Sequence, residues 1–280
     1  KTRLANEIGE ITQMWYCGVN QREIALSKGV KSWKDPRFCS DLIEMKNQRG
    51  FTFDRILEVN RTPGLVYLPE KMKRMNAFLR KINQEIFVDF ETITGLFDDF
   101  SKLPVANPCN MIFMIGIGYY QGDEWVSQTL TVNALTAQEE KRILEEFLEI
   151  VGPESELYHW ADAEPHEWMS AFQRHQLPTP LKDRWTDLLY IVREEPVVVK
   201  GSFSFSLKSI AKALNSHGLI NLDWHTDTSE GCGAMISAYQ EYQAGKTLAT
   251  SQILRDVQKY NQVDVRAVAE ILQFLRTYLL

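Results

Sequence analysis

The stretch IFVDFETI, residues 86–93, constrains this chain more than any other, because it has the make-up of a buried strand and yet holds two carboxylates. Strand side chains alternate between faces, so Asp89 and Glu91 point the same way, roughly 7 Å apart at Cα, while Val88 and Phe90 point into the other layer. Two anions side by side repel each other and lose hydration, so something cationic should sit between them.

From about residue 84 onward strands and helices interleave. EIFVDFETI is followed by NMIFMIGIGYY and WVSQTLTVN, two apolar stretches joined by QGDE, whose turn residues predict a hairpin. TAQEEKRILEEFLEIV then shows helical periodicity behind a Thr136 cap, ELYHWAD reads as a short strand, and Pro165 opens another helix. Three strands, a helix, a strand and further helices describe an α/β layer fold with a mixed sheet. GSFSFSLKSIAKAL predicts an amphipathic helix capped by Ser206, with Lys208 and Lys212 on its exposed side; Gly201 and the serines before it either border a substrate groove or simply pack. Gly116 and Gly118 of GIGYY do not make a dinucleotide fingerprint, since neither a third glycine nor a helix follows.

At 280 residues, 44% hydrophobic and 24% charged, the chain suits one fair-sized core with a smaller appendage. No run approaches the roughly 18 consecutive apolar residues of a membrane span, and KTRLANEIGE has no apolar signal-peptide core. Cys17, Cys39, Cys109 and Cys232 are scattered, with no CxxC pair and no dense disulfide pattern. These features predict reduced thiols in a soluble, cytoplasmic protein. A start at Lys1 in place of Met predicts a piece of a longer chain, or a processed one.

Charge divides the chain. Residues 1–84 hold 16 Lys+Arg against 9 Asp+Glu, a net of +7, while the remainder carries −13. A basic front on an acidic body is either a separate module that holds a polyanion or a solvated basic face. Within the front, apolar helical runs break at Gly18-Val19-Asn20 and again at Gly29-Val30. Gly50 to Lys81, including NRTPGLVYLPEK, reads as a partly extended connector into the strand at 86. The division is thus 1–84, a basic helical module with its connector, and 85–280, the α/β domain.

Near the C-terminus Ile253, Val257, Tyr260, Asp264, Val268, Ile271 and Leu275 recur at steps of three and four, the period of one helix face. Asp264 stands in the middle of this apolar stripe. It is either a capping or ion-paired acid, or it shares a metal with Asp89 and Glu91, which would satisfy all three at once.

Two of these segments carry a family resemblance. VDFET and YNQVDVRAV resemble the first and last motifs of the DEDD 3′-to-5′ exonucleases, tyrosine branch, of the ribonuclease H-like superfamily. SLKSIAKAL adds a resemblance to the predicted ribonuclease H-like domain attached to RecB-like nucleases. The resemblance spans roughly residues 84–280 and implies a ribonuclease H-like mixed sheet flanked by helices. In the front, the helix, glycine hairpin and helix resemble a helix-hairpin-helix element, whose backbone N–H groups face a phosphate; Asn20 stands where a second glycine is usual, and tolerates a left-handed turn. A plain helical hairpin is the other reading.

The family pattern expects a middle carboxylate where a strand gives way to a helix, and this falls on Glu164 in LYHWADAEPHEW, with Asp162 as the alternative; either could instead cap the helix. Asp187 in RWTDLLYIV lies outside the core set, and His159 reads as a core or supporting histidine. Lys259 occupies the place where the family's histidine branch has its histidine. The resemblance therefore implies Asp89, Glu91, Glu164 and Asp264 as ligands of two Mg²⁺ or Mn²⁺ ions, and Tyr260 as the residue that holds or deprotonates the attacking water. Hard cations prefer such oxygen donors, and a pair of them roughly 3.5–4 Å apart can neutralise a phosphodiester, activate water and stabilise the departing oxygen. The expected activity is hydrolysis of nucleic acid, DNA before RNA, from a 3′ end. The alternative is a non-catalytic nucleic-acid-binding module whose chemistry belongs to an upstream nuclease domain.

Overall fold

The protein is described by a computed structural model covering residues 2–70, 72, 82, 84–93, 110–222 and 232–279. In space the chain divides into two compact units, Lys1–Leu79 with Leu189–Asn221, and Arg80–Leu188 with Leu222–Leu280.

The second unit is a mixed α/β layer structure. Strands β2 (Glu85–Ile93), β3 (Met111–Gln121), β4 (Glu124–Thr131), β5 (Glu156–His159) and β6 (Trp185–Asp187) form one sheet in the order β4-β3-β2-β5-β6. The β2–β3 and β3–β4 pairs are antiparallel, and β2–β5 and β5–β6 are parallel. The β3–β4 hairpin turns at Gly122, whose φ of +64° suits a residue without a side chain.

On one face of β2, Ile86 and Val88 are buried in a core with Ile143, Leu144 and Phe147 of helix α4 (Ala137–Val151) and Trp168 of α5 (Ala163–His175). Phe90 meets Phe147 edge-on at 5.8 Å, on that same side. The apolar spacing of α4 sets its buried face, and Thr136 caps it by accepting from the Glu139 backbone N–H at 3.3 Å. Glu140 of α4 is buried; it accepts from the Ile112 backbone N–H at 2.9 Å and from Arg174 of α5 at 2.6 Å, tying both helices to β3.

The other face of β2 carries Glu85, Phe87, Asp89 and Glu91, and is covered by the 28-residue helix α9 (Gln252–Leu279). Helix α8 (Cys232–Gln243) packs beside α9. Arg276 near the end of α9 donates to Glu85 at 2.8 Å, both side chains nearly buried, so the helix is pinned to the start of β2. Along α9, Val257, Tyr260, Asp264, Val268, Ile271 and Leu275 are buried as their spacing predicts, but Ile253 is 42% exposed. The inward position at that turn belongs to its neighbour Leu254, so the buried stripe begins one residue later.

The first unit contains helices α1 (Thr2–Ile8), α2 (Val19–Ser27), α3 (Asn47–Arg61), α6 (Leu188–Glu194, all but its first residue) and α7 (Leu207–Ser216). A helical module is therefore present at the N-terminus. Gly18 caps α2, and Asn20 lies in its first turn with right-handed geometry, so no left-handed turn is required of it. The first part of the expected connector is helical, since α3 runs from before Gly50 to Arg61 and buries Phe53, Ile56 and Leu57 at steps of three and one; the extended part begins only after it, at β1, and residues 71 and 73–81 lie outside the described residues. That pattern gives a helix one apolar face, which an extended chain would not bury. The short strand β1 (Val66–Tyr67) pairs antiparallel with β7 (Val198–Val199), which draws residues 189–221 into this unit although the sequence places them in the second domain. Ser206 caps α7, and Gly201 donates its N–H to Asn60 of α3 at 2.8 Å, so this lead packs locally. Cys17 is buried and Cys39 half-buried, both as free thiols; burial pushes the Cys17 thiol up to about 12. No helix among the described residues is long and apolar enough to cross a membrane.

Candidate active site

Asp89 is the centre of the candidate site. It sits midway along β2, opposite Gly116 of β3 and two residues beyond Phe87, where the pairing with β5 ends. Some of its surface still meets solvent, but its carboxyl is enclosed by enough protein to be strongly desolvated, and its pKa is raised well above the ordinary value. Desolvation is the largest cause; the charges of Glu91, Asp264 and Glu164 follow in that order, and a hydrogen bond from Asn261 works against them.

The same field shows which residues the fold gathers. Glu91 arrives from the same strand face, Asp264 from the buried side of α9, and Glu164 from the first turn of α5, directly after β5. Glu164 is 5% exposed and Asp264 is 7% exposed, so both acids point inward. Asp162, the alternative for the middle position, is exposed at the N-cap of α5 without a side-chain capping bond, and it is not among the charges acting on Asp89. Tyr260 is buried one helical turn before Asp264 on the same side of α9.

Around Glu164 two buried atoms lack hydrogen-bond partners among the described residues, Glu164 Oε2 and His159 Nδ1, and they face one another at 3.5 Å. His159 packs edge-on against Trp185, so it is a buried neighbour of the acid that has no hydrogen bond through Nδ1. Asp187 accepts from the backbone N–H of Ala161 at 2.9 Å. Ala161 holds a φ of +78°, and this bond secures that uncommon conformation in the turn between β5 and α5. Asp187 thus shapes the loop that delivers Glu164.

Asn261 was not legible as part of the site. It is fully buried, and its Nδ2 donates to Asp89 Oδ2 at 2.7 Å and to the Asp89 backbone oxygen at 3.0 Å. Its signal was a polar side chain four residues after Val257 and four before Val265, inside the buried stripe of α9. The glycines of GIGYY find their use here. A Cβ at Gly116 would collide with Asn261 Oδ1 and come within 2.8 Å of Val265, and one at Gly118 would meet Val265 at the same distance. Their bare backbone lets α9 lie close on β3.

The donor set fits a hard divalent cation. Four carboxylates share one field, one of them has a buried oxygen with no hydrogen-bond partner among the described residues, and the central acid is held against its own ionisation first by burial and then by the other three. A cation in their midst would reverse each of these costs. Among the described residues no three His, Cys, Asp or Glu side chains already stand in ligating geometry. A sequence model of the RNase H superfamily matches residues 86–276, from the strand of Asp89 through most of α9. No curated protein matches the chain.

Proposed function

The chain belongs to the RNase H superfamily, whose fold is of nuclease type, and on that premise we propose that it is a metal-dependent nuclease, a 3′-to-5′ exonuclease acting on DNA. The observation that carries this reading is the convergence of acids from three elements, with Glu164 and Asp264 buried and turned inward and both, like Glu91, close enough to Asp89 to act on its charge. Structural acids are normally arranged to relieve one another by pairing with cations, whereas acids concentrated on a buried point mark a functional site.

Asp89, Glu91, Glu164 and Asp264 would hold two Mg²⁺ or Mn²⁺ ions. Such ions, when bound, neutralise the scissile phosphate, ease deprotonation of water and stabilise the departing 3′ oxygen. The chain's own contribution is orientation. Tyr260, buried one turn before Asp264 on α9, would hold the attacking water or help remove its proton. The basic front, net +7 over residues 1–84, would grip the phosphate backbone. An intracellular location and attachment to an upstream nuclease domain are consistent with the same reading.

Calorimetric titration with Mn²⁺ tests it. The expected result is saturable binding that is lost in Asp89→Asn and in Asp264→Asn. Heat no greater than dilution would favour a nucleic-acid-binding module that has no chemistry of its own.

A further inference from the structure

We infer that Asn261 is a positioning residue for Asp89 and, through it, for the cation that Asp89 takes; this rests on the metal-dependent reading above. One amide nitrogen serves two acceptors on one residue, Oδ2 at 2.7 Å and the backbone oxygen at 3.0 Å. The backbone carbonyl fixes the amide's orientation, because it cannot donate and so must face the NH₂ end. With both hydrogens of that nitrogen engaged, Oδ2 meets Asn261 as an acceptor only. Oδ2 is thus held in place as an acceptor in either protonation state, and the bond is of the stronger kind when the acceptor is charged.

The repulsion around Asp89 gives this pairing its purpose. Glu91, Asp264 and Glu164 all press on the Asp89 carboxylate, and an anion so placed tends to swing away from its neighbours. Asn261 clamps it against its own main chain instead. A lysine or arginine could do this too, but it would neutralise Asp89 and compete with a metal ion; a neutral amide holds the carboxylate and leaves its charge available.

Packing alone does not account for the residue. Asn261 Oδ1 is buried with no hydrogen-bond partner among the described residues, over the strand position kept open by Gly116. Leucine has nearly the same shape and would leave no unpaired oxygen there, so the asparagine is unfavourable except for its donors.

The test uses the full chain and Mn²⁺. Asn261→Leu keeps the branched heavy-atom outline, with bulkier methyl ends, and removes both hydrogen bonds, with Val265→Ala, a neighbour at the same glycine, reporting what altered packing does by itself. We expect Asn261→Leu to weaken Mn²⁺ binding by roughly 10- to 100-fold, the usual effect of removing a partner that orients a ligand, while its melting temperature stays at or above the parent's and Val265→Ala binds as the parent does. Parental Mn²⁺ affinity in Asn261→Leu, or an equal loss in Val265→Ala, overturns the inference. If Asn261→Leu fails to fold, Asn261→Ala is read the same way, and failure of both identifies a structural residue and also overturns it. A parent chain that binds no Mn²⁺ fails at the earlier step, the proposed function, which separates the two outcomes.

Discussion

Asp89 shows how a single residue can work against the stability of its own fold. Its folded pKa lies above the ordinary value, so the folded chain holds that proton more tightly than the unfolded chain does. Stability from this group is therefore lost as pH rises from the ordinary aspartate range, about 4, through the raised value. In EDTA at neutral pH, Asp89→Asn should melt higher than the parent by a few degrees, at about 2–4 °C for each kcal/mol relieved. The gain should shrink to nothing as pH falls to about 4; a lower melting point at neutral pH would show that the carboxylate is structural. Tyr260→Phe separates chemistry from packing in a different way, since it removes one hydroxyl and leaves the ring. Turnover should fall on the order of 100-fold with little change in Mn²⁺ affinity or melting temperature, and normal turnover would remove Tyr260 from the mechanism. At this scale the acids were legible because charge among apolar neighbours stands out in a sequence. Asn261 was not, because an uncharged amide beside a tyrosine carries no such contrast, and its role depends on a strand 172 residues away.

Among the elements, the pairing of β2 with β3 and of both with α9 delivers the site. The hairpin β3–β4, the capped helix α4 and the long helix α9 were readable because each has a local cause: a glycine turn, a threonine cap, a periodic stripe. The close seating of α9 was hidden in GIGYY, since a glycine's lack of side chain has meaning only once its cross-strand neighbour and covering helix are known. Gly116→Ala tests that seating. The added methyl would drive Asn261 and Val265 away from the sheet, costing about 1–3 kcal/mol of stability as overpacking does, and should weaken Mn²⁺ binding alongside. Stability and Mn²⁺ affinity both equal to the parent's would mean that α9 can shift without disturbing Asp89. Helix α3 escaped detection for a simpler reason: Gly50 in its first turn and the polar Asn60-Arg61-Thr62 at its end are residues typical of loops, and Phe53, Ile56, Leu57 and Val59 are left to declare its face.

For the whole molecule, the basic front and acidic body translate into an expectation about salt. Lys46 and Arg49 are exposed at the start of α3, neither holds an ion pair among the described residues, and Arg49 lies over the Tyr16 ring at 4.2 Å. If the front grips phosphates, Lys46→Glu with Arg49→Glu should weaken DNA binding and flatten its dependence on salt by about one unit of slope for each phosphate no longer neutralised. An unchanged slope would leave the front as scaffold. Substitution is a cleaner probe than deleting residues 1–84, because β1 pairs with β7 and the deletion would strip residues 189–221 of their partners. That association was beyond local pattern: two strands of two residues each, about 130 positions apart, have no periodicity to read. The central claim is that the carboxylates around Asp89 hydrolyse nucleic acid with divalent metal. Its most direct test is the time course of a 5′-labelled single-stranded DNA incubated with the parent chain and with Asp264→Asn in Mn²⁺. The account predicts products shortened stepwise from the 3′ end by the parent, none with EDTA and none with the variant; cleavage that survives EDTA, or that Asp264→Asn performs as well as the parent, would contradict it.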